Sequence, residues 1–338
     1  MKLRTYLRTF AALVVTFALL SVLPTISAQQ DELPDLILVE RAKFFPEGIE
    51  WDAERERFLL SSTTEGTVFA VTDDGTVTPL IEDEDLIGSA GIHIDGERDR
   101  LLVTDNDLSV MLEPEAEGRG AIGVYDMSTG ERLIFANLRD LRPSGAQLVN
   151  DVTVDADGNI YGTESLAPII YQVDLDGNAS IFLEDERLNP DAVGLIPFPV
   201  GLNGIVHHPD GYLLVTHVSG GKLFKVPLDD QNNLTEVELD EPFGADGMIL
   251  RPTGELVAVA FTFDAENNPQ QEVIEVSSED NWASATITNR VSADLPLTTI
   301  ALRDDAVYGI ATHIDALLAG ETVDAYEIYR VDFDAEGM

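Results

Sequence analysis

The stretch Asn150–Leu183 reads NDVTVDADGNIYGTESLAPIIYQVDLDGNASIFL, and it contains the pattern that decides the fold. Four short runs rich in β-branched and aromatic residues follow one another: DVTVD, NIYGTE, IIYQVDL and ASIFL. Asp157-Gly158 separates the first two runs, and Asp176-Gly177 separates the last two. Short alternating runs bounded by Asp-Gly turns are typical of antiparallel hairpins. The stretch therefore predicts one four-stranded antiparallel sheet.

The start of this stretch recurs six times along the chain. The copies are EGIEWD from Glu47, AGIHID from Ala90, NDVTVD from Asn150, NGIVHH from Asn203, DGMILR from Asp246 and TTIALR from Thr298. Their spacings of 43, 60, 53, 43 and 52 residues give a period near 50, which is typical of propellers and solenoids. We predict an all-β protein in which residues 29–338 form a single six-bladed β-propeller of four-stranded antiparallel blades around a central channel. The segment DLILVERAKF, residues 35–44, is expected to supply the last blade's outer strand.

Composition excludes several classes of function. The 338 residues include 62 acids, 20 bases and no cysteine, and the net charge is -42. A phosphate backbone repels such a surface, so nucleic acid is not an expected partner. Disulfides, thiolate metal sites and cysteine nucleophiles are excluded outright. Dense acid with few lysines fits either a salt-rich habitat or simple solubility.

The N-terminus has the pattern of a secretory signal peptide. Lys2, Arg4 and Arg8 precede an apolar run over residues 10–23, and Ser27-Ala28 offers a small-residue cleavage site. The run is shorter than the roughly 20 residues that span a bilayer. We therefore expect residues 1–28 to be removed and the mature chain, without a membrane span, to be secreted or periplasmic. An uncleaved anchor is the alternative.

The long insertions are predicted to lie on one face of the propeller. With four strands A to D per blade counted from the channel outward, residues 108–121, 264–272 and 314–324 are B–C loops. Residues 139–149 and 184–202 are D–A loops. All open on the face where strand A begins, and binding residues concentrate on such loops. The apolar segment Leu195–Pro199 either walls a substrate pocket there or packs on its own blade.

The residues that open strand A are the candidates for a metal site. Four of the six starts present a side-chain oxygen, and they are Glu47, Asn150, Asn203 and Asp246. Oxygen ligands without His or Cys favour hard cations, so one Ca²⁺ is the first choice, with Mn²⁺, Mg²⁺ or Zn²⁺ as alternatives. The competing interpretation is that Asn-Gly and Asp-Gly are turn formers. Recurrence at one repeat register favours the metal, because it places all four side chains around one axis.

PEGIEWD, NDVTVDADGNIYGTES, NGIVHHPDGYLLVTH and ADGMILRPTGELVAVA resemble the senescence marker protein, gluconolactonase and regucalcin family over roughly residues 45–260. Family members hydrolyse lactones or organophosphates with a divalent metal held by a Glu, two Asn and an Asp. By register these correspond to Glu47, Asn150, Asn203 and Asp246. The resemblance implies that the cation polarises the lactone carbonyl while Asp246 activates water or attacks directly. Sugar-lactonase members carry an Arg where this chain has Leu148, which favours a less polar lactone or ester.

Secondary candidates lie at the ends of the B strands. Asp105, Glu164, His217 and His313 could exchange protons or contact substrate there, or simply form hydrogen bonds at a loop edge. Asp151 could orient Asn150 or cap its strand. His207-His208 belongs to the opposite face by this topology and is set aside.

These observations favour an exported, metal-dependent hydrolase of lactones or related esters, acting as a monomer on a small molecule. The alternative is a non-enzymatic, metal-braced propeller that binds a ligand or protein. A propeller of the strictosidine synthase kind is a third possibility, but that class does not rely on the four-oxygen set.

Overall fold

Six antiparallel sheets follow one another along the chain as the blades of a six-bladed β-propeller, which confirms the predicted fold. The computed structural model describes residues 33–112, 118–190, 199–263, 269–293 and 295–333. The predicted signal segment, residues 1–28, lies outside this range and stays a prediction. In the described part, no helix is long and apolar enough to cross a membrane.

The first three blades each contain four consecutive strands. Blade one has β2 (Ile49–Asp52), β3 (Arg57–Leu60), β4 (Thr67–Val71) and β5 (Val77–Glu82). Blade two has β6 (Ile92–Asp95), β7 (Arg100–Asn106), β8 (Gly120–Asp126) and β9 (Arg132–Asn137). Blade three has β10 (Val149–Val154), β11 (Ile160–Glu164), β12 (Ile169–Val173) and β13 (Ala179–Glu184).

The last three blades depart from this pattern in their outer strands. Blade four has β14 (Leu202–His208), β15 (Tyr212–His217), β16 (Lys222–Pro227) and the two-residue β17 (Thr235–Glu236). Blade five has β19 (Gly244–Leu250), β20 (Leu256–Phe263), β21 (Pro269–Ser277) and β22 (Ser284–Ser292), with β18 (Glu238–Leu239) added in parallel at its edge. Blade six has β23 (Leu297–Arg303), β24 (Ala306–Ala311), β25 (Ala325–Val331) and, from the N-terminus, β1 (Leu36–Glu40).

Helical structure in the described part is confined to single turns in connections. These are α1 (Ser109–Leu112), α2 (Ile314–Leu318) and the 3₁₀ turns Glu186–Leu188 and Gln231–Asn233. The predicted long insertions connect the expected strands on the face where strand A begins, but two predicted ranges extend too far, because β8 already begins at Gly120 and β21 at Pro269. The opposite face carries tight turns, in which glycines such as Gly158 and Gly211 have positive φ angles of 91° and 87°. A residue with a Cβ is strained in that conformation, so the Asp-Gly signal marks these turns reliably.

The hydrophobic core is divided into six layers, one between each pair of neighbouring blades. Blades one and two, for example, meet through Leu59, Val68, Leu101 and Val103, all of which are buried. Each blade is therefore apolar on both faces and contributes to two layers. A ring is the arrangement in which no blade is left with an unpacked apolar face.

The N-terminal strand closes this ring. β1 pairs with β25 in antiparallel register, from Leu36 opposite Tyr329 to Glu40 opposite Ala325. Side chains of β1 alternate, so Ile37 and Val39 are buried between blades six and one while Leu38 is exposed. The closing role predicted for residues 35–44 is therefore present in the structure.

Truncation of β1 on its inward side should loosen the closure. We expect Ile37→Ala to reduce the free energy of unfolding by about 2–5 kcal/mol, because it leaves a cavity in a packed layer. The matched variant Leu38→Ala, on the exposed side of the same strand, should stay within about 0.5 kcal/mol of the parent. Urea unfolding followed by circular dichroism measures both. An equal loss of unfolding free energy in the two variants would contradict the conclusion that the buried side chains of β1 close the ring.

Candidate metal centre

Irregular strand pairing marks the start of the innermost strand in four blades. Register shifts fall between Val149 and Val152 in β10, between Leu202 and Ile205 in β14, between Ala245 and Met248 in β19, and between Leu297 and Thr299 in β23. The residues inside the first three shifts include Asn150, Asn203 and Asp246. A bulge releases residues from the ladder and redirects their side chains, as is common beside active sites. Three of the four predicted ligands therefore occupy bulges, and Glu47 lies two residues before β2.

Hydroxyl groups of neighbouring strands hold the main chain at these positions. The bonds are Thr104 Oγ1 to the Asn150 carbonyl at 3.2 Å, Thr163 Oγ1 to the Asn203 carbonyl at 2.7 Å and Thr298 Oγ1 to the Glu47 carbonyl at 2.7 Å. Each bond joins one blade to the next. The backbone at Glu47, Asn150 and Asn203 is thus held by the preceding blade in addition to its own.

Three of the predicted ligands line one small cavity. Glu47, Asn150 and Asn203 surround a volume of about 20 Å³ in the channel, together with Asp151. Asn203 Nδ2 donates to Asp246 Oδ1 at 2.8 Å, which joins the fourth predicted ligand to the set. A volume of this size has room for about one water-sized occupant. The structure thus brings the four residues together as the repeat register predicted.

Asp151 is a fifth polar group at this site. Four other blades have glycine at this register position. At Gly204, for instance, there is no room for a larger residue, because an added Cβ would lie only 2.4 Å from the Asp246 carbonyl oxygen. Gly91 provides the space for Asp151, since a Cβ there would lie 2.6 Å from Asp151 Oδ1. The carboxylate accepts the N–H groups of Val152 at 2.8 Å and Ile205 at 3.1 Å.

Burial and mutual repulsion disfavour negative charge in this cluster. Burial raises the pKa of Asp246 to about 7, assisted by the charge of Asp151 and opposed by the Asn203 hydrogen bond. Burial also raises the pKa of Asp151 to about 7, against two backbone N–H bonds that lower it. The pKa of Glu47 is raised well above its usual range by burial first and then by Asp246 and Asp151. A divalent cation would reverse this situation by offsetting the repulsion.

The donor set fits a hard cation. Glu47 and Asp246 supply two carboxylates, and Asn150 and Asn203 supply amide oxygens, which is the ligand chemistry of Ca²⁺ rather than of zinc or copper. Within the described residues, the side chains of Glu47 and Asn150 form no hydrogen bond or ion pair, so their oxygens remain available to a ligand. No three His, Cys, Asp or Glu side chains of the described part form a metal-binding group by themselves, so a cation bound here would need the asparagine oxygens as well.

Asp105, Glu164 and His217 hold loops in the structure. Asp105 is fully buried, accepts the Ile87 N–H at 2.7 Å and pairs with Arg119 at 2.6 Å. Glu164 Oε1 accepts the Leu148 and Leu166 N–H groups. His217 Nδ1 accepts from Gly220 while Nε2 bonds the Asn189 carbonyl at 2.7 Å. Each anchors the D–A connection that leads into its own blade. Side chains alternate along a strand, so each of these three points to the opposite face of its blade from the preceding Thr, which bonds the next blade.

The other secondary candidates also lie apart from the small cavity. His313, at a φ of 54°, bonds Glu327 Oε2 at 3.0 Å. Leu148 is buried, and its backbone N–H rather than its side chain makes the polar contact described above. Residues 195–198 of the apolar loop lie outside the described residues, while Pro199 is exposed. His207 and His208 line the far end of the channel, as the topology predicted.

Comparisons with known proteins identify the fold. The sequence matches no established family profile and no curated protein. Among solved structures, the Malassezia sympodialis allergen Mala s 1 has a TM-score of 0.72 at 17% identity, over 91% of this chain and 98% of that one. A calcium-binding protein, regucalcin, from Agrobacterium tumefaciens has a TM-score of 0.58 at 15% identity, over 90% and 97%. A gluconolactonase from Xanthomonas campestris has a TM-score of 0.54 at 17% identity, over 88% and 91%.

The fold is that of the gluconolactonase and regucalcin propellers. These propellers belong to the family that the sequence resembles, and the structural likeness to them is one of fold. At these identities the likeness concerns architecture, and the chemistry has to be argued from the residues.

The carboxylate cluster should make stabilisation by calcium depend on pH. The folded pKa values of Asp246 and Asp151, about 7, lie above those of unfolded aspartate. The metal-free fold therefore loses stability as pH rises from about 4 to about 7, because the unfolded chain gives up these protons first. Ca²⁺ should restore that loss, so we expect a larger rise in Tm with Ca²⁺ at about pH 8 than at about pH 5.5.

Differential scanning fluorimetry with Ca²⁺ or a chelator measures this difference. Free Ca²⁺ at one hundred times its Kd should add about 2.7 kcal/mol to the free energy of unfolding. Glu47→Gln serves as the control and should reduce the shift at the higher pH. An equal shift at both pH values in parent and variant would place calcium elsewhere on the acidic surface.

Removal of the His217 anchor should cost stability. His217→Phe leaves the Gly220 N–H and the Asn189 carbonyl without a buried partner, so we expect a loss of about 2–4 kcal/mol in urea unfolding. His217→Gln can keep one of the two bonds and should lose less. A fully stable His217→Phe would show that the bonds do not anchor this loop.

Proposed function

We propose that this chain is an exported, divalent-metal-dependent hydrolase that opens a lactone or a related ester. The observation that carries the proposal is the convergence of Glu47, Asn150 and Asn203 on one small cavity, with Asp246 bonded to Asn203. The gluconolactonase neighbour supports the reaction class, and the regucalcin neighbour, a calcium-binding protein, supports the metal. The signal-like pattern of residues 1–28 supports export.

Glu47, Asn150, Asn203 and Asp246 would hold the cation, with Ca²⁺ as first choice. When bound, it would polarise the carbonyl of the substrate and stabilise the oxyanion that develops on it. The chain's own residues supply the rest of the chemistry, which is orientation, exclusion of bulk water and proton transfer.

Asp246 is the proposed general base. Its Oδ1 accepts from Asn203 Nδ2, which fixes the plane of the carboxylate, and Oδ2 has no hydrogen bond among the described residues. In the proposed step Asp246 takes a proton from water as the oxygen of that water bonds to the carbonyl carbon. The ring C–O bond then breaks, and the proton passes to the leaving alkoxide, so that water is added across the ester. Burial of Asp246 limits competition from bulk solvent.

A panel of lactones and aryl esters tests this proposal. The chain should hydrolyse at least one panel member, lose the activity on chelation and regain it with Ca²⁺, Mn²⁺, Mg²⁺ or Zn²⁺. Asp246→Asn should lower kcat by about 10²–10⁴-fold, because it removes the base. Asp176→Asn, in an exposed turn of blade three, is the matched control and should retain the parental rate.

Two outcomes would overturn the proposal. Hydrolysis that survives complete removal of metal would exclude the metal-dependent mechanism. Tight metal binding with no turnover of any panel member would instead support the non-enzymatic, metal-braced binding propeller.

A further inference from the structure

The central channel contains a second and much larger chamber. Its volume is about 600 Å³, within the range of small-molecule pockets. It extends along the innermost strands to the turns of the far face, including Pro209 and Pro252. Ile49, Ile92 and Asp151 line both this chamber and the small cavity of the candidate metal centre. The proposed hydrolysis uses none of the chamber's remaining lining.

One wall of the chamber carries an acid–imidazole pair. Glu50 Oε1 lies 2.9 Å from His93 Nδ1, and this is the one hydrogen bond of the Glu50 side chain in the described part. The two side chains are 22% and 36% exposed, respectively, so both remain accessible from within the channel. The second carboxylate oxygen of Glu50 is thus available to a donor. Asp151 adds another carboxylate to the same chamber.

The chamber offers no free arginine or lysine to an anion. Arg251 is the single residue of these types in the described lining. Its guanidinium lies 3.2 Å from Glu275 Oε2 and donates to the Asp305 carbonyl at 3.0 Å. Burial lowers the pKa of His207, which keeps that imidazole uncharged near neutral pH. Burial lowers the pKa of His93, but the hydrogen bond and charge of Glu50 outweigh it and raise that pKa, so any positive charge on His93 is paired with Glu50. The polar wall thus presents acceptor oxygens and no unpaired cation, which favours a donor or a cation over an anion.

Another part of the lining is aliphatic. Ile249 and Leu250 of blade five and Leu302 of blade six form it, and all three are partly buried. Ile205 and Met248 extend the same surface towards the candidate metal centre. Aliphatic side chains and carboxylates in one chamber give it a surface for a hydrocarbon and a surface for a charged head.

We propose that this chamber binds a small amphipathic organic amine, with its ammonium group on Glu50 and its hydrocarbon part against Ile249 and Leu302. The free carboxylate oxygen of Glu50 accepts the ammonium hydrogen bond, and the apolar wall buries the hydrocarbon. The site is independent of the proposed hydrolase reaction, since it involves none of the four predicted metal ligands.

Three probes with one hydrocarbon part and different heads test the assignment. They are 4-phenylbutylamine, 4-phenylbutanol and 4-phenylbutyrate, titrated calorimetrically into the full chain with Ca²⁺ in excess to occupy the metal centre. We expect the amine to bind with a stoichiometry of one and at least about tenfold more tightly than the carboxylate, a difference of about 1.4 kcal/mol. The alcohol should fall between them.

Two variants separate the walls. The amide of Glu50→Gln can still accept a hydrogen bond from His93 but lacks the negative charge. This variant should therefore bind the amine about tenfold more weakly and bind the alcohol with nearly the parental affinity. Ile249→Ser should weaken the binding of the amine and of the alcohol to the same extent. Asp176→Asn, in an exposed turn, should change neither.

Equal binding of the three probes, or absence of amine binding at millimolar concentration, would overturn the proposal. So would amine binding that is unchanged in Glu50→Gln, because that result points to the acidic outer surface. Circular dichroism of each variant shows whether a loss of binding arises from unfolding.

Discussion

The site depends on one kind of contact between neighbouring blades. A threonine hydroxyl of one blade bonds to a main-chain carbonyl at the start of the innermost strand of the next blade. A buried neutral hydrogen bond of this kind contributes only about 0.5–1.5 kcal/mol to stability. Its larger effect is directional. Thr163 fixes the Asn203 carbonyl and Thr216 fixes the Ala245 carbonyl, each from the preceding blade. The bulges at Asn203 and Asp246 therefore cannot move independently of the ring, which keeps their side chains directed at one point.

The acidic residues of the chain fall into two physical classes. Most lie on the surface or pair with arginine, as in the buried Asp95–Arg100 pair at 2.8 Å near the far face. Glu47, Asp151 and Asp246 lack such a partner; burial raises the pKa of all three, and the charge of Asp151 adds to this effect at Glu47 and Asp246. A net charge of -42 thus does not identify the site by itself. What distinguishes the three carboxylates is a shared location without a guanidinium or an ammonium group.

Much of the fold was predictable because each blade repeats the same local pattern. Alternating strands and Asp-Gly turns predict blades, and the repeat register predicts the grouping of Glu47, Asn150, Asn203 and Asp246. The sequence left open whether Asp105, Glu164 and His217 contact substrate or form hydrogen bonds at a loop edge, and in the structure they form such bonds. The period of two could have indicated this, because a Thr that bonds the next blade turns the following residue to the opposite face of its own blade.

Other features needed the coordinates. Glu50 and His93 belong to different blades, and nothing in either local sequence indicates that they meet at 2.9 Å across the channel wall. Asp151 could have been noticed as the exception in a register of glycines, since NDVTVD stands where other repeats have Gly. Its backbone partner Ile205, on the next blade, follows only from how the blades are arranged around the channel.

Closure by β1 also constrains how the chain can be made. Leu36 finds its partner Tyr329 roughly 290 residues later, so the first strand to leave the ribosome must wait for the last. Until then its edge and the apolar faces of blades one and six stay open to other chains. Synthesis of this protein therefore passes through a long interval with an unclosed ring, and crowding or slow translation near the C-terminus would favour strand exchange between copies.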